Sequence, residues 1–209
     1  MYLSRLKLNP AVRKTRELLI SPYQLHQAIY HAFPEEGAGR VLYRIDENQR
    51  LGTISLFVQS EKEPDWQRAE YLTLCLLDKV EFHHFTPDLK NGRTLFFRLR
   101  ANPSVKKQEE GKKNGYRVGL IQEKDQLAWL NRKAEKGGFS IVSYRVIPEG
   151  ISHDDRSGAA NDKLRHYSVC FEGVLKITDE SIFRGTVEKG VGSAKGFGFG
   201  LLSLAPLKE

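Results

Sequence analysis

Two cysteines in 209 residues leave no material for a disulfide framework or a cysteine-ligated metal. Cys75 and Cys170 each lie inside an apolar run, as buried free thiols in a reducing compartment do, so cysteine chemistry is not expected. No apolar run is long enough to span a bilayer, and Met1-Tyr-Leu-Ser-Arg5 lacks a signal peptide's apolar core, so the expectation is a soluble cytoplasmic protein with no membrane partner. H-E-x-x-H, EF-hand and paired-cysteine spacings are missing too. Neighbours on a strand point to opposite faces, so of His83-His84 one ring is expected buried and one exposed. His153-Asp154-Asp155 reads as a polar loop. Neither a metal nor a cofactor is therefore expected, and no serine sits in a G-x-S-x-G elbow that would make it a nucleophile.

What the chain does have is an excess of positive charge. Lys and Arg number 33 against 26 Asp and Glu, a formal net charge of +7, which favours an acidic partner such as nucleic acid or an anionic surface. With 40% hydrophobic residues the chain can build a core as one large or two small domains. Glycines at 190, 192, 196, 198 and 200 around Lys195 strip side chains from a loop, so that backbone amides can approach an anion. A P-loop needs Gly-Lys-Ser/Thr, which does not occur, and Lys195 occupies the place of the third glycine in a dinucleotide fingerprint. Two readings stay open on these residues alone: an anion cradle, or a tight turn into a last strand beginning near Phe199.

The hydrophobic pattern orders the chain. Tyr2, Ser4, Leu6 and Leu8 alternate with Leu3, Arg5 and Lys7 as a strand. A basic linker (Arg13, Lys14, Arg16) leads to Ser21-Pro22-Tyr23-Gln24, whose cap, first-turn proline and Gln24 start a helix running to Phe33. Strands follow at 41–45 and 53–58, a second helix from Pro64 through Leu76, and a strand over 79–85. This β-α-β-β-α-β order is a ferredoxin-like unit, the arrangement RNA-recognition motifs also use. The second half repeats it: strand 93–100, helix 124–136 with Leu127, Trp129 and Leu130 inward, strands 139–147 and 167–177, a helix capped by Asp179, and the closing strand. The fold class expected is α+β, with tandem ferredoxin-like (RRM-like) domains at residues 1–86 and 92–209.

Two insertions interrupt the second unit. Residues 103–116 carry Lys106, Lys107, Lys112 and Lys113, and residues 150–165 carry Arg156, Lys163 and Arg165. Both lack apolar anchors and read as flexible basic projections. On the first helix, Leu25, Ala28, Ile29, Ala32 and Phe33 form one apolar stripe, while Tyr23, His26, Gln27 and Tyr30 form a second stripe turned away from it. His26 and Tyr23 are thus neighbours on a ligand-facing or solvent-facing edge. An imidazole titrates near neutrality and can move a proton there, and a phenol beside it can hydrogen-bond developing charge.

Met1-Tyr-Leu-Ser, Tyr23-Gln-Leu-His26-Gln, Phe97-Arg-Leu-Arg-Ala-Asn-Pro103, Gln126-Leu-Ala-Trp-Leu130, Val169-Cys-Phe-Glu-Gly-Val174 and the run from Gly190 to Pro206 together resemble the CasE family, the CRISPR RNA endoribonucleases of type I-E Cascade. The resemblance is ordered over almost the whole chain. It implies cleavage of precursor CRISPR RNA at the base of the repeat stem-loop and retention of the product beside other Cascade subunits. It implies metal-independent chemistry by 2′-hydroxyl attack, leaving a 2′,3′-cyclic phosphate and a 5′-hydroxyl. His26 falls on the family's general acid/base position and Tyr23 on its assisting position. Residues 103–116 correspond to the family's basic hairpin, which enters the groove of the RNA stem; residues 150–165 have no firm motif match, and Arg156, Lys163 and Arg165 are expected as a phosphate clamp from their charge. Gly192, Lys195, Gly196 and Gly198 are expected to lie against RNA beside the interdomain cleft.

Overall fold

A computed structural model describes residues 1–48, 50, 52–108, 116–154 and 164–207, with backbone only at 152–154 and 164–165. The chain is α+β, built on two four-stranded antiparallel sheets. In the first sheet, strands β1 (Tyr2–Leu8), β2 (Val41–Asn48), β3 (Thr53–Ser60) and β4 (Glu81–His84) lie in the order β2-β3-β1-β4. In the second, β5 (Thr94–Ala101), β8 (Phe139–Asp154), β9 (Leu164–Ile177) and β10 (Leu202–Pro206) lie in the order β10-β5-β9-β8. Counted within each half, both orders place the fourth strand beside the first and the second at the far edge, the ferredoxin-like arrangement. Between β5 and β8 a separate antiparallel pair, β6 (Ser104–Lys107) and β7 (Tyr116–Gly119), stands on its own.

Each sheet buries one face. Leu6 on β1 pairs with Leu56 on β3, which pairs with Ile45 on β2; with Tyr43 and Val58 these side chains form the first core. In the second half Leu99 aligns with Phe171 and Leu202, and Trp129 stacks on Phe171 with ring centres 6.2 Å apart. Helix α4 (Glu123–Lys136) supplies Trp129 and Leu130 to that core and α5 (Glu180–Lys189) supplies Phe183 and Val187. Leu127 is half-buried and Gln126 takes the inward place instead, its Nε2 donating to the carbonyls of Leu120 and Ile121 at 2.9 and 3.2 Å. A buried amide is tolerated there because its donor is satisfied.

Several local expectations change. Arg13, Lys14 and Arg16 belong to a helix, α1 (Arg13–Ile20), rather than a linker. Thr15 and Leu18 are buried beneath it, Arg13 and Lys14 bond Glu17 one turn on, and the Arg16 guanidinium ties back to the carbonyls of Pro10 and Ala11. The apolar stripe is only two residues wide within a basic run, too short to register as periodicity. Ser21 then serves both ends: its N–H donates to Glu17 and closes α1, while its Oγ accepts from Gln24 N–H and opens α2 (Pro22–Tyr30). Pro22 holds Ser21 extended and so separates the two helices.

The long helix expected from Pro64 to Leu76 is instead a 3-10 turn at Trp66–Arg68 followed by a single turn, α3 (Glu70–Thr73). Trp66 buries its ring here and donates Nε1–H to Ser4 Oγ at 3.1 Å. Of the histidine pair, His83 and His84 are both exposed, because β4 is an edge strand none of whose residues enters the core. The insertion at 150–165 is flanked by strand and not by an irregular loop: β8 and β9 stay paired out to Asp154 and Leu164, with register shifts at Ile141/Ser143 and Pro148/Gly150. Bulges and a φ of 87° at Gly150 let the long ribbon bend where Pro148 offers no N–H.

Candidate active site

The two halves meet through a few directed contacts. Gln59 Nε2 on β3 donates to the Val187 carbonyl at 2.8 Å in a buried setting. Arg44 on β2 grips Asp46 through two nitrogens at 2.7 and 3.0 Å and donates to Ser203 Oγ on β10 at 2.7 Å. Arg98 on β5 reaches the same Asp46 at 3.3 Å and Glu172 at 3.1 Å. Its Nε also lies 3.4 Å from the Cys170 thiol, whose pKa is pushed up chiefly by burial. Cys170 is thus a packed, inert thiol, and Cys75 is buried as well.

The glycine loop completes the junction. Between α5 and β10, the chain crosses to the first half with a 3-10 turn at Lys195–Phe197 that lies against α2 and β2. Tyr43 Oη, at the centre of this contact, donates its one proton to the Gly196 carbonyl at 2.9 Å or the Pro22 carbonyl at 3.2 Å, which ties the loop and the start of α2 to one phenol. Gly198 has φ 79°, and a β-carbon there would come within 3.0 Å of the Tyr43 ring, so both backbone conformation and close approach exclude a side chain. Ala194 takes a φ of 60°, the one non-glycine among the described residues on the positive side.

That arrangement brings His26 against the loop. The imidazole is half-buried, 4.4 Å from the Tyr30 ring centre and 6.3 Å from that of Tyr43. On the loop side, a β-carbon added at Gly196 would lie 3.7 Å from His26 Cε1, so the bare backbone of Gly196 forms one wall of the histidine's site. Tyr23 stands on the same face of α2, 41% exposed, with its Oη accepting from Gln27 Nε2 at 3.0 Å. A cleft of about 490 Å³ opens beside these elements, with Pro22, Tyr43, Arg98, Arg100 and Phe197 among its walls. The site therefore combines an imidazole, a solvent-facing phenol and a glycine backbone drawn from both halves, while Arg98 and Arg100 line the cleft next to it and are paired with Asp46, Glu172 and Glu149.

Lys195 is half-buried, and burial followed by the charges of Arg40 and Lys133 lowers the pKa of its ammonium. Gly192 packs beside Trp129. Lys106 and Lys107 are exposed on β6, opposite Arg117 and Tyr116 of β7, and the pair is rooted where Gly119 meets the Tyr167 ring. Lys112, Lys113, Arg156 and Lys163 lie outside the described residues, and Arg165 is described by its backbone alone, in β9 opposite His153. Among the described residues, no three His, Cys, Asp or Glu side chains gather as a metal site, and no helix is long and apolar enough to cross a membrane.

Sequence reasoning missed Tyr43, which looked like an ordinary core aromatic of an alternating strand; only the hydroxyl at its tip betrays the role. It also missed the Arg44–Asp46–Arg98 bridge, because facing strands of different sheets leave no spacing signal. His166 was equally silent: it is half-buried, 4.8 Å from the Phe197 ring centre, with Nδ1 2.8 Å from Asn102 Nδ2.

Fold and site define a tandem ferredoxin-like protein whose histidine and tyrosine lie on one helix against a basic, glycine-rich loop. A family model described as CRISPR associated protein matches residues 1–206. The chain belongs to this CRISPR-associated protein family. It is 34% identical over 218 residues, covering 99% of this chain and 100% of the relative, to the CRISPR-associated endoribonuclease Cse3 of Thermus thermophilus. With the CRISPR system Cascade subunit CasE of Escherichia coli the identity is 36% over 220 residues, at 99% and 100% coverage. The structure of Thermus thermophilus Cse3 bound to an RNA representing a pre-cleavage complex superposes with a TM-score of 0.81 at 34% identity, covering 98% of each chain.

Proposed function

We propose that the chain is an endoribonuclease that cuts precursor CRISPR RNA at the base of the repeat stem-loop and stays with the product as a Cascade subunit. The observation that carries this reading is His26 held between Tyr30 and the bare backbone of Gly196, on the helix face it shares with Tyr23. Membership of the family and the relatives' endoribonuclease and Cascade names support it. The same reading takes residues 1–86 and 92–209 as two domains, each with its own apolar core, and places the protein in the cytoplasm.

The chemistry is in-line transfer at phosphorus. The ribose 2′-oxygen bonds to the adjacent phosphorus while the bond from phosphorus to the 5′-oxygen breaks. One proton leaves the 2′-hydroxyl, and one reaches the departing 5′-oxygen. His26 moves one of these protons, a contribution of about 100- to 10,000-fold, and Tyr23 hydrogen-bonds the phosphate oxygens as charge builds. The glycine loop walls the site so that RNA backbone can approach, Lys195 adds positive charge, and Lys106 and Lys107 on the β6–β7 hairpin hold the stem by its phosphates. Arg156, Lys163 and Arg165 serve as a further phosphate clamp. The products are a 2′,3′-cyclic phosphate and a 5′-hydroxyl, with no metal required.

The test uses the protein's own repeat RNA in excess chelator, with ribose or deoxyribose at the scissile nucleotide, and end-group analysis of the products. Cleavage of the ribose substrate alone, giving a cyclic phosphate, is the expected result. A deoxy substrate cut at the normal rate contradicts the 2′-hydroxyl route. No cleavage of an RNA that binds tightly identifies a noncatalytic RNA-binding subunit instead.

A further inference from the structure

A second groove borders the glycine loop, and neither His26 nor Tyr23 is among its walls. It has a volume of about 520 Å³ and lies between the C-terminal turn of α4, the solvent side of α5 and the loop. Four of its walls are Lys133, Lys136, Lys189 and Lys195, and no carboxylate lines it. None of the four pairs with an acidic side chain among the described residues, although ion pairs are plentiful elsewhere on the surface, at Lys7, Arg13 and Arg184 for example.

These lysines are organised rather than scattered. Lys133 is half-buried, with its Nζ 5.8 Å from the Trp129 ring centre, and a β-carbon at Gly192 would touch the same indole at 3.1 Å. One buried tryptophan thus sets both a cation and the loop backbone that faces it. Gly192 and Lys195 are among the residues lining the groove, and their backbone N–H groups donate to no acceptor among the described residues. Burial and neighbouring positive charge work against protonation of both inner lysines: Lys136, Arg117 and Arg132 act on Lys133, and Arg40 and Lys133 act on Lys195. Convergent, unpaired cations oppose folding in the absence of a partner, and an anion of repeated negative charge relieves that opposition.

We infer that this groove is a phosphodiester-binding site for RNA whose walls include neither His26 nor Tyr23, so that it engages the strand at a phosphate other than the scissile one. The inference rests on the endoribonuclease reading for its ligand. The glycine loop then adjoins two phosphates of one RNA, the scissile one at His26 and a second one at Lys133 and Lys136. Holding both fixes the strand across the loop, which is how binding away from the reacting bond orients it.

The experiment uses the full chain and its own repeat RNA, blocked by deoxyribose at the scissile nucleotide and carrying a single uncharged methylphosphonate at successive positions. With wild type, a position other than the scissile one weakens binding about 10-fold. In Lys133→Gln/Lys136→Gln, unmodified RNA binds about 10-fold more weakly, that same position becomes silent, and the slope of log affinity against log salt falls by about 1. Lys189→Gln repeats the loss more weakly through an exposed side chain that leaves Trp129 packing alone. Lys90→Gln, an equal charge change at an exposed site outside the groove, leaves the profile unaltered. Equal sensitivity of wild type and the double variant at every position overturns the inference, as does a wild type indifferent to all non-scissile positions. Failure of wild type to cut unblocked RNA, with the position-specific coupling intact, removes the nuclease reading and leaves the groove standing.

Discussion

The two halves share a strand order and diverge in what they add to it. The first unit is spare: short helices, tight connections and one helix face that carries Tyr23, His26 and Tyr30. The second extends its middle strands to 16 and 14 residues, inserts a basic hairpin and ends in a glycine loop that crosses back to the first. The difference teaches a division of labour. Under the proposed function, chemistry comes from a helix fixed by its own core, whereas the grip on a polyanion comes from elements projecting beyond a core.

If the division is real, His26→Ala lowers cleavage by about 100- to 10,000-fold in single-turnover assays and leaves RNA affinity within about twofold. A comparable loss of affinity would break the comparison. Gly198→Ala is the next largest, because its φ of 79° and the 3.0 Å approach to Tyr43 both oppose a β-carbon. A stability loss of about 1–3 kcal/mol and a slower cleavage are expected, read from thermal unfolding and rate together. Gly196→Ala sharpens the point, since its β-carbon meets His26 at an ordinary 3.7 Å and the variant should remain stable.

Tyr43→Phe removes only the hydroxyl that ties Gly196 to Pro22. About 1 kcal/mol of stability is at stake, with cleavage falling several-fold and the salt dependence of binding unchanged. Lys106→Gln/Lys107→Gln gives the mirror pattern. Affinity falls several-fold and the salt slope drops by about 1–2, seen in titrations at several ionic strengths, while deoxy-blocked and normal RNA are affected alike.

Much of this was legible in the residues. The apolar stripe of Leu25, Ala28, Ile29, Ala32 and Phe33 is buried as its spacing requires, and the second stripe points out. Ser21 and Asp179 cap the helices they precede. Local chemistry decided these positions, so local pattern revealed them. Helix α1 escaped notice because only Thr15 and Leu18 of its basic run are buried, and Tyr43 because it matters through a residue 153 positions away. The lysine groove escaped for the same reason, since Lys133 and Lys195 meet only after α4 and the loop are brought together. His83 and His84 show the limit of strand parity, which assigns faces but does not say whether either face is covered.

The division of labour is tested most directly by adding imidazole to His26→Ala under single-turnover conditions with saturating repeat RNA. The pocket between Tyr30 and Gly196 vacated by the ring admits a free imidazole, and the proton transfer needs no covalent link to α2. The account predicts a cleavage rate that rises with imidazole concentration while RNA affinity stays at the wild-type level. An unaltered rate at full RNA occupancy, or a variant that no longer binds RNA, would contradict it and return His26 to a structural role.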